Sequence, residues 1–153
     1  MRIYLVQHGE SVAGEINPDR PLTENGRKDI NKLAEFLRKN RSPVSKILHS
    51  GKTRAQQTAE ILGISLLPDG IIEMINGITP KDPVVNFARD IYQLNSNTMI
   101  VSHLPFLPKL ISCLITGRND QLIVNYQPGT IVCIEQDEDR TWKIQWMIRP
   151  DCF

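Results

Sequence analysis

Short continuous runs of hydrophobic residues alternate along the chain with longer stretches in which hydrophobic residues recur every three to four positions. The continuous runs are typical of strands buried in a parallel sheet, and the spaced ones of amphipathic helices. The predicted strands are 2–7, 45–50 and 98–102. The predicted helices are 23–39, a segment following residue 50, a segment around 84–91 and a segment beginning at Pro105.

Single residues mark the expected ends of these helices. Thr23 is suited to the N-cap of the first helix, and Gly63 to the end of the second. Pro105 is suited to the first helical position of the fourth, where its missing N–H costs nothing. Residues 63–82 hold three glycines and two prolines, so we expect them to be mainly loop.

The C-terminal part of the chain has a different pattern. Residues 130–135 and 141–148 flank a polar QDEDR segment, and the second run alternates between polar and apolar positions. This predicts an antiparallel hairpin. Together with the alternating strands and helices, it predicts a three-layer α/β/α sandwich with a mostly parallel, mixed sheet, formed by residues 1–153 as one domain.

Composition narrows the functional classes. The chain has 153 residues, 41% of them hydrophobic, and a net charge of +1, which argues against a broad nucleic-acid-binding surface. No apolar run has the length of a membrane helix, and the short N-terminal run predicts no signal peptide. Cys113, Cys133 and Cys152 have no metal-ligand spacing and cannot all pair, which favours a reduced, cytoplasmic protein.

Polar residues follow three of the predicted strands at the point where each strand ends. They are His8, Ser50 and His103. In open α/β sheets, ligands bind outside the carboxyl ends of the strands, so we expect these side chains to face one crevice. By strand alternation, His49 is expected to face away from that crevice if Ser50 faces it.

Two arginines are expected near the same crevice. Arg54 falls in the first turn of the second helix, and Arg20 in the loop before the first. Together with His8, His103 and a helix N-terminus, they form a set suited to binding a phosphoryl group. A histidine in such a set can also act as a nucleophile.

With these residues, the chain resembles the histidine phosphatase superfamily, which has the phosphoglycerate mutase-like fold. Within that superfamily it resembles the small SixA-type phosphohistidine phosphatases. The resemblance covers nearly the whole chain and depends on several short motifs in the same order. They are QHGES (7–11), RPLTENG (20–26), SGKTRAQQT (50–58), ITP (78–80) and VSHLP (101–105).

The resemblance implies roles for particular residues. His8 would attack phosphorus and form a phosphohistidine enzyme, which water then hydrolyses. His103, Arg54 and Arg20 would bind the phosphoryl oxygens, and Gln7 would occupy a further phosphate-binding position. The implied reaction uses no metal and no cofactor.

Two features depart from the family pattern. Gln7 stands where the superfamily has arginine, so that position keeps an amide donor but loses a charge and a bidentate fork. Larger members protonate an alkoxide leaving group with a carboxylate from mid-chain, where this sequence has only Glu73 and Asp82, neither in a convincing motif. Glu73 is the better candidate acid.

The missing acid indicates a class of substrate. An imidazole has a pKa of about 6.5 and is far easier to expel than an alkoxide. We therefore expect a phosphohistidine phosphatase acting on a phosphorelay or phosphotransfer protein. Two alternatives stay open: a small-molecule phosphomonoesterase, or a non-catalytic phosphate-binding module that lost turnover when glutamine replaced arginine at position 7.

Overall fold

The computed structural model describes residues 1–153 and contains six strands and four α-helices. The strands are β1 (Arg2–Gln7), β2 (Lys46–His49), β3 (Ile71–Met74), β4 (Thr98–Ser102), β5 (Ile131–Gln136) and β6 (Trp142–Ile148). The helices are α1 (Glu24–Lys39), α2 (Thr53–Leu66), α3 (Val84–Asp90) and α4 (Phe106–Thr116). No helix combines the length and apolar character needed to span a membrane.

All six strands form one sheet in the order β3-β2-β4-β1-β5-β6. β1 to β4 are parallel to one another, whereas β5 is antiparallel to both β1 and β6. The predicted mixed sheet with a C-terminal antiparallel hairpin is therefore confirmed. The carboxyl ends of β1, β2 and β4 lie side by side at one edge of the sheet.

Side chains of β1 enter two separate cores. Ile3 and Leu5 pack with α3 and α4 in a cluster of 17 buried residues, whereas Tyr4 and Val6 pack with α1 and α2 in a cluster of 14. Because both faces of this strand are covered, its sequence is a continuous apolar run and not an alternating one. The predicted three-layer α/β/α arrangement is confirmed.

The predicted helix boundaries were right at one of three places. Thr23 is the N-cap of α1, where its Oγ1 accepts a hydrogen bond from the Gly26 N–H at 2.9 Å. Gly63 does not end α2, which continues to Leu66; a Cβ at position 63 would overlap Ile72, so glycine is needed there for close packing. Pro105 precedes α4 as its N-cap residue instead of opening its first turn.

Two details of the sheet were not predicted by the pattern of hydrophobic and polar residues. β3 lies within the segment predicted as loop, and it is a short edge strand that pairs only with β2 and is mostly exposed. In β6 the register shifts opposite Cys133 and Ile134. This irregularity reverses the alternation, so Trp142 packs in the α3/α4 core while Trp146 packs against the α1/α2 core.

Candidate active site

A cavity of about 380 Å³ opens at the carboxyl ends of β1 and β4. All five residues expected to bind phosphate or act on it line this cavity, although they come from four separate stretches of sequence. The lining residues are Gln7, His8, Glu10, Ser11, Arg20, Arg54, Pro80, His103, Leu104 and Pro128. The parallel strands therefore bring side chains that lie 95 positions apart, those of His8 and His103, into one site.

Backbone contacts hold His8 at the end of β1. Its N–H donates to the Ser102 carbonyl of β4 at 3.2 Å. The following residue, Gly9, donates its N–H to Thr58 Oγ1 of α2 at 3.0 Å. A Cβ at Gly9 would lie only 2.9 Å from the Ile30 side chain of α1, so the close approach of helix and loop requires glycine.

The hydrogen bonds of the His8 ring define which nitrogen is free. Nδ1 lies 2.7 Å from the Gly9 carbonyl oxygen, which can only accept, so Nδ1 carries the proton. Nε2 therefore bears the lone pair, and it accepts a hydrogen bond from Arg54 Nε at 3.2 Å. The neutral ring therefore has an unprotonated Nε2 beside Arg54 at the cavity.

His103 lies beside His8, with ring centroids 5.0 Å apart. Its Nε2 is 2.6 Å from Ser50 Oγ, and that oxygen lies 3.4 Å from the Lys52 N–H. The other nitrogen, Nδ1, is buried and has no hydrogen-bond partner. Nδ1 is therefore a buried polar atom that the chain itself leaves unsatisfied, which is uncommon in folded proteins.

Burial and neighbouring cations keep both rings uncharged. Desolvation is the largest cause that lowers the pKa of His8 to about 4, and Arg54 and Arg20 lower it further. Desolvation, His8 and the nearby cations together lower the pKa of His103 to about 3. At neutral pH the site therefore has two neutral imidazoles among guanidinium groups, a field that favours an anionic ligand.

The two arginines are held differently. Arg54 follows the first residue of α2, and burial together with Arg20 lowers its pKa. Arg20 adopts a left-handed φ of 48° and donates from Nε to the Val12 carbonyl at 3.1 Å and from its terminal nitrogen to Ser11 Oγ at 3.2 Å. These bonds direct a loop arginine toward the cavity instead of into solvent.

Gln7 lies directly before His8 and is 5% exposed. Its N–H and carbonyl are held by Thr130 and Gly129, which fix the backbone at the end of β1. Its side chain lines the cavity, and its Oε1 is buried with no partner. The position therefore offers a neutral amide to a ligand where a guanidinium would offer a charged fork.

The structure does not bring either mid-chain carboxylate into the cavity. Glu73 lies on the exposed edge strand β3, paired with Leu48, and Asp82 accepts a hydrogen bond from the Thr79 N–H at 2.7 Å. The carboxylate that does line the cavity is Glu10, which sequence reasoning missed although it lies within QHGES. Its Oε1 accepts from Thr23 Oγ1 at 2.6 Å, so it also joins the cavity loop to the start of α1.

Other observations complete the description of the site. His49 does not line the cavity; its Nδ1 accepts from the Gly51 N–H at 3.1 Å. Ser11, Leu104 and Pro128 line the cavity but carried no sequence signal of their own. The chain has no cluster of three or more metal-ligating side chains.

Comparisons with known proteins give concordant matches. The model of the histidine phosphatase superfamily (branch 1) matches residues 3–73. The phosphohistidine phosphatase SixA of Escherichia coli (strain K12) is 24% identical over 155 aligned positions, which cover 98% of this chain and 94% of SixA.

Solved structures share the fold. The protein histidine phosphatase SixA complexed with tungstate superposes with a TM-score of 0.88 at 24% identity, covering 99% of each chain. A putative phosphohistidine phosphatase SixA from Agrobacterium tumefaciens gives a TM-score of 0.79 at 20% identity, covering 97% of each chain. The architecture predicted from the sequence, including its phosphoglycerate mutase-like character, is therefore confirmed.

Proposed function

The chain belongs to the histidine phosphatase superfamily, and from this premise we propose that it hydrolyses phosphohistidine on another protein, with His8 as the nucleophile. The family model and the SixA relative support a metal-independent phosphatase of this type. The substrate and the role of each residue are our proposal.

The observation that carries the proposal is the state of the His8 ring. Its proton is held on Nδ1 by the Gly9 carbonyl, and its Nε2 lone pair faces the cavity beside Arg54. A hydrogen bond at the far nitrogen both orients the ring and increases the basicity of Nε2. A pKa of about 4 keeps the lone pair available at neutral pH.

In the proposed first step, Nε2 of His8 forms a bond to phosphorus while the bond between phosphorus and the substrate imidazole nitrogen breaks. The bonding electrons leave with the imidazole. Arg54 turns from Nε2 to the phosphoryl oxygens, and Arg20, His103 and Gln7 provide further donors. Positioning and charge stabilisation supply most of the catalysis in phosphoryl transfer. Water then attacks the phosphorus and regenerates free Nε2 with release of phosphate.

The leaving group accounts for the lack of a mid-chain acid in the cavity. A phosphorylated imidazole can take a proton from solvent on its far nitrogen, so it departs as neutral imidazole without a dedicated acid. An alkoxide leaving group would need a proton on the departing oxygen itself. Glu73 and Asp82 are absent from the lining, and the Oε1 of Glu10, the carboxylate that does line the cavity, already accepts a hydrogen bond from Thr23, which together favour a phosphoramidate over a phosphate ester.

The surroundings of the cavity favour a substrate presented by another protein. The connections that line it carry no further helix, and Leu104 on its wall is 41% exposed. Such a site can receive a side chain from the surface of a folded protein. We assign the activity to the cytoplasm, where thiols stay reduced; Cys113, Cys133 and Cys152 are all free.

The test compares substrates and variants in one assay. The protein is incubated with free phosphohistidine, with a phosphotransfer protein phosphorylated on histidine, and with p-nitrophenyl phosphate. Phosphate release and acid-labile label on the enzyme are followed. We expect turnover of the phosphohistidine substrates and labelling that disappears in His8→Ala. The matched control is His49→Ala, which alters a buried histidine outside the cavity.

The outcomes separate the alternatives. Label or turnover that persists in His8→Ala would exclude the mechanism. Preference for p-nitrophenyl phosphate would favour a small-molecule phosphomonoesterase. Tight phosphate binding without turnover of any substrate would favour a non-catalytic phosphate-binding module.

A further inference from the structure

A groove adjoins the cavity on the side of α3 and α4. It encloses about 530 Å³ and shares Pro80 with the cavity, and Leu104 of the cavity is followed directly by Pro105 of the groove. We call it the lysine groove and define it by Pro80, Lys81, Pro83, Pro105, Lys109 and Asn119. A protein that inserts a side chain into the cavity and extends toward α3 and α4 would contact this surface.

The lysine groove carries unpaired positive charge. Lys81 and Lys109 are exposed, and neither forms an ion pair. The Lys52 ammonium is near enough to both the groove and the cavity to lower the pKa of Asp82 and of His103. The whole chain has a net charge of only +1, so this concentration of cations is local.

The carboxylates of this surface are already engaged. Asp82 accepts a hydrogen bond from the Thr79 N–H at 2.7 Å. Beyond Lys109, Asp120 is bridged by Arg118 at 2.8 Å. One oxygen of Asp82 and both oxygens of Asp120 are therefore held by the chain itself, whereas the ammonium groups of Lys81 and Lys109 form no ion pair and can meet an external anion.

The groove also offers apolar contact on a rigid frame. Proline supplies three of the nine residues that line the groove, and proline loses little conformational freedom on binding because its backbone is already constrained. Leu122 lines the continuation of the groove past Lys109 and is 75% exposed. This leucine gives a docked protein surface an apolar contact beside the lysines.

We propose that the lysine groove docks an acidic surface of the substrate protein, next to the phosphohistidine that enters the cavity; this rests on the proposed function. The partner is a folded protein with glutamate or aspartate beside its phosphorylated histidine. Complementary charge steers the encounter and orients the phosphoryl group toward His8, so it acts on association with the protein and not on the chemical step.

The experiment uses two phosphohistidine helical peptides that differ only at surface positions, with glutamate in one and glutamine in the other. Free phosphohistidine is the third substrate. The test variant is K81E/K109E, and the control is K32E/K46E, which makes the same change of charge at lysines outside the groove. Binding of the unphosphorylated peptides is measured in parallel by fluorescence anisotropy.

We expect the native protein to favour the acidic peptide by about tenfold in kcat/KM, a preference that high salt removes. K81E/K109E should lose the preference while turning over free phosphohistidine at the native rate, and K32E/K46E should keep it. A preference that survives in K81E/K109E, or that both pairs lose equally, would overturn the docking surface.

Failure of the proposed function would look different. In that case the native protein would turn over neither peptide nor free phosphohistidine. The anisotropy measurement would still decide the docking question: affinity for the acidic peptide that K81E/K109E alone abolishes supports the groove. Equal affinity for both peptides contradicts it.

Discussion

The parallel strands and the C-terminal hairpin contribute to the same cores but differ in what lies at their ends. β1, β2 and β4 all end at one edge of the sheet, and His8, Ser50 and His103 follow them there. The hairpin supplies buried core residues such as Ile134 and Trp142, and β5 runs in the opposite direction to β1. The difference shows that strand direction, and not burial, decides which part of the sheet can assemble the site.

The largest effect is expected for Arg54→Met, in the part of the molecule built on the parallel strands β1 to β4, which we call the parallel half. Losing the guanidinium beside His8 Nε2 should lower kcat/KM for phosphohistidine by about 10³-fold, because a donor to the phosphoryl oxygens is removed. Steady-state kinetics measure the loss. Arg38→Met, at the last turn of α1, is the control and should have native activity. Near-native activity in Arg54→Met would remove this residue from the mechanism.

Truncation in the hairpin should affect stability instead of chemistry. Ile134 is fully buried, so Ile134→Ala should lower the free energy of unfolding by about 3 kcal/mol, through lost burial and a new cavity. Urea denaturation measures the change, and kcat of the folded variant should stay native. Ile144→Ala alters a residue that is 40% exposed and should cost much less. A fall in kcat for folded Ile134→Ala would contradict the division between the two halves.

The pH dependence of stability should also arise in the parallel half. Burial lowers the pKa of His8 to about 4 and that of His103 to about 3 in the folded protein, from 6.5 in the unfolded chain. Between pH 6.5 and these folded pKa values, each histidine binds a proton in the unfolded chain but not in the folded protein. Stability is thus full above about pH 6.5 and should fall by about 2 kcal/mol per histidine at pH 5.

Denaturation at pH 7 and pH 5 measures this loss. The double variant His8→Asn/His103→Gln should show a smaller difference between the two pH values than the native protein does. Equal differences in both proteins would assign the acid sensitivity to other groups. Saturating phosphate should also reduce the loss, because a bound anion favours the protonated rings.

The smallest effect is expected for Gln7→Arg. If the Gln7 side chain faces the anion, a guanidinium there should tighten phosphate or vanadate binding by about tenfold, since it adds a charge and a bidentate fork. Gln136→Arg makes the same change at the end of β5 in the hairpin and should leave the affinity unaltered. Unchanged affinity in Gln7→Arg would mean that this side chain does not contact the ligand.

Much of the fold was predictable because its signals are local. The run RIYLVQ and the spacing of Ile30, Leu33 and Leu37 report burial directly, so β1 and α1 were found within a residue or two. β3 was missed because an exposed four-residue edge strand among glycines and prolines lacks such a signal. Gly63 was misread because glycine marks both helix ends and close helix–strand contacts, and only the position of Ile72 distinguishes them.

The residues of the site also divide into those that the sequence identified and those that only the structure revealed. His8, Arg54 and His103 were identified because each follows a strand end or begins a helix in a recognisable motif. Glu73 was a candidate acid because of its position along the chain, but β3 carries it along the exposed edge of the sheet. Glu10 was overlooked because nothing local indicates that its carboxylate meets Thr23 and lines the cavity.

The sequence by itself determined the fold class and the three strand ends that carry polar residues, because residue type and periodicity are properties of the chain alone; that Gln7 replaces an arginine came from the family resemblance. Only the tertiary structure decided which His8 nitrogen is free, that His103 Nδ1 is left without a partner, and that Lys81 and Lys109 flank one groove. Those properties depend on distances between atoms far apart in the sequence, and folding sets these distances.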